Sequence, residues 1–446
     1  MFSLRLISLP GKSLSRIPTK AEWSRFRKYA QGIRTLKVDA SKDLITPNVL
    51  SVLQLRTGSE PLLPRLGTFE CERATEAFIP FIPLLISSET VDINVGFSVI
   101  TSRIVSVAST IVRLPILCPN IQSLVLHNLP RNSVIVEAVS EMLISCNRDT
   151  LRVFLARSPL TEEARGVLCE LPKLRRLRTV FQGKTLLPPV TLPRLATIYV
   201  VYDHGNEWLQ GFRGATLGEL NTVVFSPSTS ARIDNFLEEF QSVALTVPVQ
   251  NTLSSFVFRT SQSWNPNYSS LLVFKQLTKL EIEFSCDAGC SSRVDDDIVI
   301  SLAQAMPKLE ILQLGKDPCP TPTGVTLKGL AALARRCLHL STLRVHLHVE
   351  ELVEATTSAE PPFPSEHAAV VPRMDCASTV LQVGETPIPE EEEFGVALTL
   401  LHVFPQELNI EYSNPQWKQV VETMKLFKRI GGHVEHASKA HLPHLR

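Results

Sequence analysis

The amino-acid sequence predicts an α/β fold: a leucine-rich-repeat solenoid (horseshoe) with parallel strands on its concave side and helices on its convex side. Three observations support this prediction. An L-x-x-L-x-L pattern recurs along the chain, its copies are spaced as one strand plus one helix require, and the intervals carry helical periodicity. Clear and weak copies together indicate about 12 to 13 repeats. A β-sandwich or a dinucleotide-binding fold would contain apolar strands without repeating the same three-leucine phase.

The clear copies of the pattern share mostly apolar residues at its first, fourth and sixth positions. Their first residues are Ile33, Leu66, Ile121, Leu151, Leu174, Leu195, Leu220, Leu253, Leu277, Leu309 and Leu340. Weaker copies lie at Val91 and Ile93 and at Leu408 and Ile410. Apart from one interval of 55 residues, which contains a weak copy, the starts are 21 to 33 residues apart. Leucine-rich repeats have periods of about 20 to 29 residues, and longer periods leave room for a full helix.

Four intervals are predicted to be helical because apolar residues recur there at helical spacing. They are residues 134–145, 233–240, 297–305 and 327–337. Asp295, Asp296 and Asp297 are expected to start the third of these helices, where acidic groups meet the positive end of the helix dipole.

A closing helix is expected near the C-terminus. Asn414 can cap it, Pro415 suits its first turn, and Gly431 with Gly432 is predicted to end it. Its apolar stripe begins with Trp417, and the helix is predicted to shield the final repeat from solvent.

Changes in composition divide the chain into five segments. They are 1–22, a basic N-terminal segment or linker remnant; 23–354, the repeat array; 355–393, a flexible insertion rich in Pro and Glu; 394–432, the last repeat and its capping helix; and 433–446, a His-rich disordered tail. The first twenty residues contain four basic and no acidic side chains. A linker explains this better than a mitochondrial presequence, which stays an alternative.

Composition also bears on partners and compartment. The chain has 446 residues, 44% hydrophobic and 20% charged, with a net charge of +1. Without a global excess of charge, neither nucleic acid nor a membrane is an expected partner. The longest apolar run, 78–86, is interrupted by two prolines and is shorter than the roughly 20 residues of a spanning helix. Nine scattered cysteines, an odd number, indicate reduced thiols and a cytoplasmic or nuclear protein.

The stretch from Trp23 to Leu36 has the spacing W-x-x-F-x-x-Y-A-x-x-I-R-x-L. Together with C-P-N-I-Q-S-L at 118–124 and the Trp417 helix, it resembles the F-box leucine-rich-repeat proteins of mushroom-forming fungi. The resemblance implies a substrate receptor of a cullin-type ubiquitin ligase, whose F-box grips a Skp-type adaptor while the repeats hold the target. Only 22 residues precede Trp23, and an F-box needs about 40, so the F-box itself is expected to be missing through truncation, a mispredicted gene start or loss. The adaptor and cullin are expected partners only if an F-box lies upstream.

Motifs for catalysis or cofactor binding are incomplete. The sequences G-K-S at 11–13 and G-K-T at 183–185 lack the earlier glycine of a phosphate-binding loop. Cys286 and Cys290 have no second pair to complete a zinc site, and His346 with His348 would make a weak metal site. No enzyme activity, cofactor or metal is therefore expected.

Outward-facing residues of the strands are the expected binding surface, since the leucines point into the core. Eight of the twelve residues before the second core position are Ser or Thr, which strand propensity explains better than recognition. The position after it is more varied: Lys37, Glu70, Asp92, Val125, Leu155, Arg178, Tyr199, Val224, Val257, Glu281, Gln313 and Arg344.

A partner-binding site is predicted on the concave face, formed by Tyr199, Glu281, Glu283, Arg344 and His346. The expected function is a protein–protein interaction module, with substrate recognition in a ubiquitin ligase as the main hypothesis. A scaffold or inhibitory binding protein without an F-box and without a ligase role is the alternative. The target protein is not indicated by the sequence.

Overall fold

The computed structural model of the chain describes residues 2–5, 17–40, 47–57, 60–98, 103–181, 190–203, 206–229, 231–246, 248–262, 264–284, 294–315, 324–345, 347, 378–384, 388, 392–404 and 407–440. These residues form an α/β fold in which parallel strands alternate with helices, as expected for a repeat solenoid. The chain divides into two compact units. Unit one comprises Met1–Val223 and Thr246–Val249, and unit two comprises Val224–Leu245 and Gln250–Arg446.

Unit one contains eight strands that follow one another in the sheet in chain order, each parallel to the next. They are β1 (Phe2–Arg5), β2 (Ile33–Val38), β3 (Thr68–Ala74), β4 (Asp92–Phe97), β5 (Ser123–His127), β6 (Val153–Ala156), β7 (Arg176–Phe181) and β8 (Thr197–Tyr202). The helices are α1 (Lys20–Ala30), α2 (Pro47–Thr57), α3 (Ile82–Leu85), α4 (Ile104–Leu117), α5 (Ser133–Ser145) and α6 (Glu162–Cys169). Strand β9 (Thr222–Pro227) spans the boundary between the units.

Unit two continues the same alternation. Its strands are β10 (Ser255–Arg259), β11 (Lys279–Glu283), β12 (Ile311–Leu314), β13 (Thr342–Arg344), β14 (Ser378–Gly384) and β15 (Glu407–Tyr412), again parallel and in chain order. The helices are α7 (Phe236–Ala244), α8 (Asp296–Ala305), α9 (Leu327–Arg336), α10 (Glu393–Val403) and α11 (Gln416–Ala440). The four helices predicted from periodicity correspond to α5, α7, α8 and α9, with ends that differ by at most four residues.

The repeat pattern produces this fold because equivalent leucines occupy the same height in neighbouring strands. Leu280 pairs directly with Leu312, Leu312 with Leu343, and Leu343 with Leu381. All four side chains are fully buried. Each of these repeats of unit two thus covers the apolar row of its neighbours.

Phenylalanines replace leucine through part of the core of unit two. The ring of Phe225 lies 4.8 Å from that of Phe236 and 5.8 Å from that of Phe256, measured between centroids. Phe240 contacts Phe256 and Phe274, each at 5.4 Å. These edge-on, tilted and stacked arrangements suit aromatic quadrupoles and bury large apolar surfaces between successive repeats.

Strand β4 corrects the alignment of the weak copy at Val91 and Ile93. Ile93 pairs with Leu124, so it occupies the second leucine position and Thr90 the first. Thr90 is fully buried, and its hydroxyl donates to the Leu66 carbonyl at 2.8 Å while accepting from the Ser87 amide at 3.0 Å. A polar residue is tolerated there because its hydrogen bonds are made.

Fifteen strands occur among the described residues, more than the expected number of repeats. One unexpected strand is β1, which lies inside the segment 1–22 that was expected to be a linker. It pairs with β2. The other is β14, which lies between β13 and β15. The expectation of a flexible insertion over 355–393 is therefore wrong for Ser378–Gly384, where V-L-Q-V supplies the alternation of a strand. Residues 355–377 lie outside the described residues.

Helix α11 closes the C-terminal end largely as predicted, but it is longer. Trp417 is fully buried, with Val420 and Met424 along the same face. The Phe427 ring lies 5.2 Å from the Phe394 ring on α10. The helix continues to Ala440, so Gly431 and Gly432 do not end it and the tail expected to be disordered is helical through Ala440.

Adjacent aspartates connect α8 to α9. Asp295 caps its own helix, since its carboxylate accepts from the Ile298 amide at 3.0 Å. Asp296 turns to the next repeat, where its carboxylate accepts from the Thr326 amide at 2.8 Å, the Gly329 amide at 3.1 Å and the Thr326 hydroxyl at 2.5 Å. A Cβ at Gly329 would collide with that carboxylate, so any larger residue there would displace Asp296 from this position. One side chain thus satisfies the exposed amides at the start of α9.

Replacing Asp296 with Ala should destabilise unit two by roughly 1 to 3 kcal/mol, because three donors at the start of α9 lose their acceptor. Denaturant unfolding of the full chain measures the change. Asp297→Ala is the matched control, since Asp297 carries the same charge in the same helical turn but is exposed. Equal losses in both variants would contradict the capping role.

Trp417→Ala should loosen the C-terminal end by about 3 to 5 kcal/mol, because it leaves a large cavity where a buried indole stood. The expected result is faster proteolysis of α11 and a lower melting temperature. Leu426→Ala, on the same helix and 56% exposed, should change neither. Proteolysis of α11 at the wild-type rate in Trp417→Ala would rule out the shielding role.

Candidate functional site

The outward face of the sheet in unit one carries a continuous row of directly paired side chains. In order from β2 to β8 they are Lys37, Glu70, Asn94, Val125, Leu155, Arg178 and Tyr199. The sequence pattern predicted Asp92 for this row, but the pairing places Asn94 there. Asp92, two residues earlier in β4, pairs with Ser123. The row crosses the surface perpendicular to the strands, so a bound partner would meet these residues in sequence.

Charges on the first strands of this row neutralise one another. The Lys37 ammonium lies 2.5 Å from the Glu70 carboxylate. Beyond the row, the Arg73 guanidinium donates to the Asp39 carboxylate at 2.7 Å, and this hydrogen bond raises the pKa of Arg73 above its ordinary value. This part of the face therefore offers little unbalanced charge.

Strands β6 and β7 carry an arginine cluster, defined as Arg157, Arg176 and Arg178. Arg176 and Arg178 are alternate residues of β7 and so face the same side of the sheet, and Arg157 follows β6 directly. Within the described residues, none of the three forms an ion pair with a carboxylate. The cluster is thus a local positive patch on a chain of nearly zero net charge.

Arg178 is the most constrained member of the cluster. Its ladder partners are Leu155 on β6 and Tyr199 on β8, and its side chain is half-buried. Its Nε is buried and has no hydrogen-bond partner in the described part of the chain. Burial, followed by the positive charge of Arg157, lowers the pKa of Arg178 from its ordinary value. A buried charge without a counter-ion is unfavourable, so this group has the chemistry to gain from an anion.

The imidazole of His127, at the end of β5, is affected by the positive charge of Arg178. Partial desolvation on the sheet surface lowers its pKa from the ordinary value, and the positive charge of Arg178 lowers it further. His127 is therefore a titratable group that the charge of Arg178 affects.

Unit two places its charged residues differently. The Glu281 side chain is only 7% exposed, although it points to the outward face. Its carboxylate lies 3.0 Å from the Arg259 guanidinium and 2.8 Å from the Lys279 ammonium, and Arg259 also lies 3.4 Å from Glu283. The two acidic residues are thus held in an ion-pair network with two cations of the same face.

The predicted site residues are brought together only in part. Glu281 and Arg344 lie in one row of unit two, on β11 and β13, about 10 Å apart across the intervening Gln313. Glu283 lies two residues further along β11. Tyr199 belongs to unit one, beside Arg178, and His346 lies outside the described residues.

The site predicted from the sequence did not include the arginine cluster. Arg178 was in the outward row, but nothing in the sequence showed that it lacks a counter-ion. The signal that points to it is the alternation R-L-R at 176–178, which puts two guanidinium groups on one face of a strand.

A shallow cleft of about 520 Å³ lies beside α1 and is lined by Lys20, Trp23, Arg27 and Arg56, among others. Its arginines are already engaged. Arg27 lies 2.5 Å from the Glu60 carboxylate, and the Arg56 guanidinium donates to the Pro18 carbonyl at 3.1 Å. The cleft therefore has fewer available cations than its composition suggests.

The described residues also bear on metal binding and membrane insertion. These residues contain no group of three or more His, Cys, Asp or Glu placed to hold a metal ion. Cys286 and Cys290 lie outside them. No helix in the described part of the chain is long and apolar enough to cross a bilayer.

The described cysteines are Cys71, Cys118, Cys146, Cys169 and Cys337, all free and buried. Burial raises the pKa of Cys71 and Cys169 to about 11. It raises the pKa of Cys118, Cys146 and Cys337 to about 12. At neutral pH these groups are thiols rather than nucleophilic thiolates.

Comparison with known proteins does not assign the chain: no protein-family model matches it, and no curated protein matches its sequence.

Arg178→Leu should raise the pKa of His127, because a nearby positive charge is removed while the partial desolvation remains. NMR titration of the imidazole measures the shift. The charge-matched control is Arg113→Leu on α4, which is exposed on a helix away from the sheet face. An unchanged His127 pKa in Arg178→Leu would contradict the proximity of the two groups.

The five described cysteines should resist alkylation in the native chain at neutral pH and react after unfolding, because both access and thiolate fraction are low. Peptide-resolved mass spectrometry with iodoacetamide distinguishes them from the four cysteines outside the described residues. Rapid native labelling of Cys146 or Cys337 would show that the repeats open more readily than their burial implies.

Proposed function

We propose that this chain is a protein–protein interaction module that recognises a target protein with the outward face of its parallel sheet. The observation that carries the proposal is the arginine cluster with Tyr199 on that face, where Arg178 and Tyr199 are half-buried and the local charge is positive on a chain of balanced charge. Aromatic and arginine side chains with apolar neighbours are the residues on which protein interfaces most depend. Binding, without a catalytic step or a cofactor, is the function proposed.

The more specific proposal is substrate recognition within a cullin-type ubiquitin ligase. It rests on the resemblance to F-box leucine-rich-repeat proteins, and the local structure of the resembling stretch is compatible with it. Trp23 and Phe26 stack at 5.1 Å on α1, and Thr19 with Glu22 forms a capping box at its start. The I-R-x-L part of the motif forms β2, so the whole stretch is one helix–turn–strand unit that begins a repeat.

A scaffold or inhibitory binding protein without a ligase role is the second candidate. One observation favours it: the described residues ahead of α1 include β1, which extends the sheet beside β2. A strand in that place does not provide the helix bundle with which an F-box grips a Skp-type adaptor. In either version, the proposed location is the cytoplasm or the nucleus, where buried thiols stay reduced.

Affinity purification of the tagged full chain from its native cells tests the two versions. Co-purification of a Skp-type adaptor and a cullin, at constant ratio to the chain, is expected for the ligase receptor. Recovery of a target protein without adaptor or cullin would support the scaffold. Reconstitution with the purified adaptor excludes indirect capture, because a direct complex must survive gel filtration.

The role of the sheet face is tested by the variant Arg178→Gln with Tyr199→Ala. Loss of the captured target with unchanged thermal melting is expected, since both side chains lie on the outward face. Arg113→Gln on α4 is the control that removes one charge elsewhere. Retention of every captured protein by the double variant would move the binding surface off this face.

A further inference from the structure

We propose that the arginine cluster of unit one is an oxyanion-binding site that recognises a short acidic or phosphorylated peptide segment of the target protein. This inference rests on the proposed protein-binding function and names the ligand chemistry of its surface. The residues that would carry it are Arg157, Arg176 and Arg178, with Tyr199 and Leu155 beside the central guanidinium.

The first step of the argument is the missing counter-ion. Elsewhere on the outward faces, two arginines are paired with carboxylates: Arg73 with Asp39 and Arg259 with Glu281. The arginine cluster lacks such pairs within the described residues, although Arg178 is half-buried. In its own row of the sheet, Arg176 is three strands away from the nearest carboxylate, that of Asp92, or about 14 Å. On the other side of the arginine cluster, the acidic residue Asp203 lies just beyond the end of β8, four residues after Tyr199.

The second step is the surrounding of Arg178. Leu155 and Tyr199 flank it on the neighbouring strands, and Val125 lies one strand beyond Leu155 in the same row. These half-buried apolar and aromatic side chains exclude water from one side of the guanidinium, which strengthens its attraction to an anion. A guanidinium offers several donors in one plane, and its buried Nε has no partner in the described part of the chain. Carboxylate and phosphate groups match that planar donor set.

The third step is spacing. Arg176 and Arg178 are alternate residues of one strand, so their outward side chains leave the backbone about 7 Å apart. Acidic groups at alternate positions of an extended peptide have the same separation. The geometry therefore suits a Glu-x-Glu or phosphoserine-x-Glu sequence rather than a single anion.

A peptide fits this surface better than a nucleic acid. A phosphate backbone requires a long track of cations, whereas the basic patch is confined to β6 and β7. On the earlier strands β2 to β4, Lys37 is paired with Glu70 and Asp92 adds a negative charge. The net charge of +1 provides no long-range attraction for a polyanion.

The test uses the full chain and four fluorescent probes in low salt. They are 12-residue peptides on a Gly-Ser background containing Glu-x-Glu, phosphoserine-x-Glu or Gln-x-Gln, and a single-stranded oligonucleotide of matched charge. Fluorescence anisotropy measures binding, and NMR of His127 reports occupancy of the site. The expected result is binding of one or both acidic peptides over Gln-x-Gln, with a rise of the His127 pKa on saturation, because an anion offsets the charge of Arg178.

The comparison of the two acidic peptides distinguishes a carboxylate ligand from a phosphate ligand. Arg157→Gln with Arg178→Gln should weaken binding roughly tenfold or more, as expected for the loss of charged hydrogen bonds. Arg113→Gln should leave it unchanged. Binding should also fall as salt is raised through the range that screens surface charge.

Several results would overturn the inference. They are equal binding of the neutral and acidic peptides, equal loss in Arg113→Gln and the double variant, or tighter arginine-dependent binding of the oligonucleotide. Target capture separates this failure from failure of the proposed function. If the full chain captures a target that the double variant also captures, the module binds proteins but not through this site. If neither captures a target, the proposed function fails as well.

Discussion

The described strands of the repeats depend on the stacking of equivalent apolar residues between neighbouring repeats. A single strand–helix repeat cannot bury its own leucines, so it is stable only when the next repeat covers them. The register that aligns Leu280, Leu312, Leu343 and Leu381 is the direct result. The irregular repeat that contains β4 keeps the same register. Thr90 occupies a leucine position there, and its hydroxyl forms hydrogen bonds with Ser87 and Leu66.

The same register determines the outward surface. Because side chains alternate between the two faces of a strand, fixing the leucines inward fixes the residues between them outward. Parallel pairing then sets those residues side by side, so that Lys37 meets Glu70 and Arg178 meets Tyr199. As a consequence, some outward charged residues have a partner of opposite charge and others do not. Glu281 is enclosed by Arg259 and Lys279, whereas the arginine cluster has no such partner among the described residues.

Sequence reasoning was accurate where the signal is periodic. Strands and helices follow from leucine spacing, and the shielding helix follows from the buried stripe that begins with Trp417. It was wrong where composition was taken to exclude structure. The segment 355–393 is rich in proline and glutamate, yet it contains β14, whose pairing with β13 and β15 outweighs its surroundings. Likewise, the glycines expected to end α11 lie within it.

The sequence by itself determined the fold class, the alternation of strand and helix, and, in the strands that carry the clear leucine pattern, which residues face outward, because all three follow from local periodicity. Only the tertiary structure decided which outward charges meet. Arg259 and Glu281 come from different repeats. The capping contact between Asp296 and Thr326 also joins two repeats. The same holds for the surroundings of Arg178, whose neighbours arrive from the strands on either side. Such pairings depend on how neighbouring repeats align in space, which the spacing within one repeat does not encode.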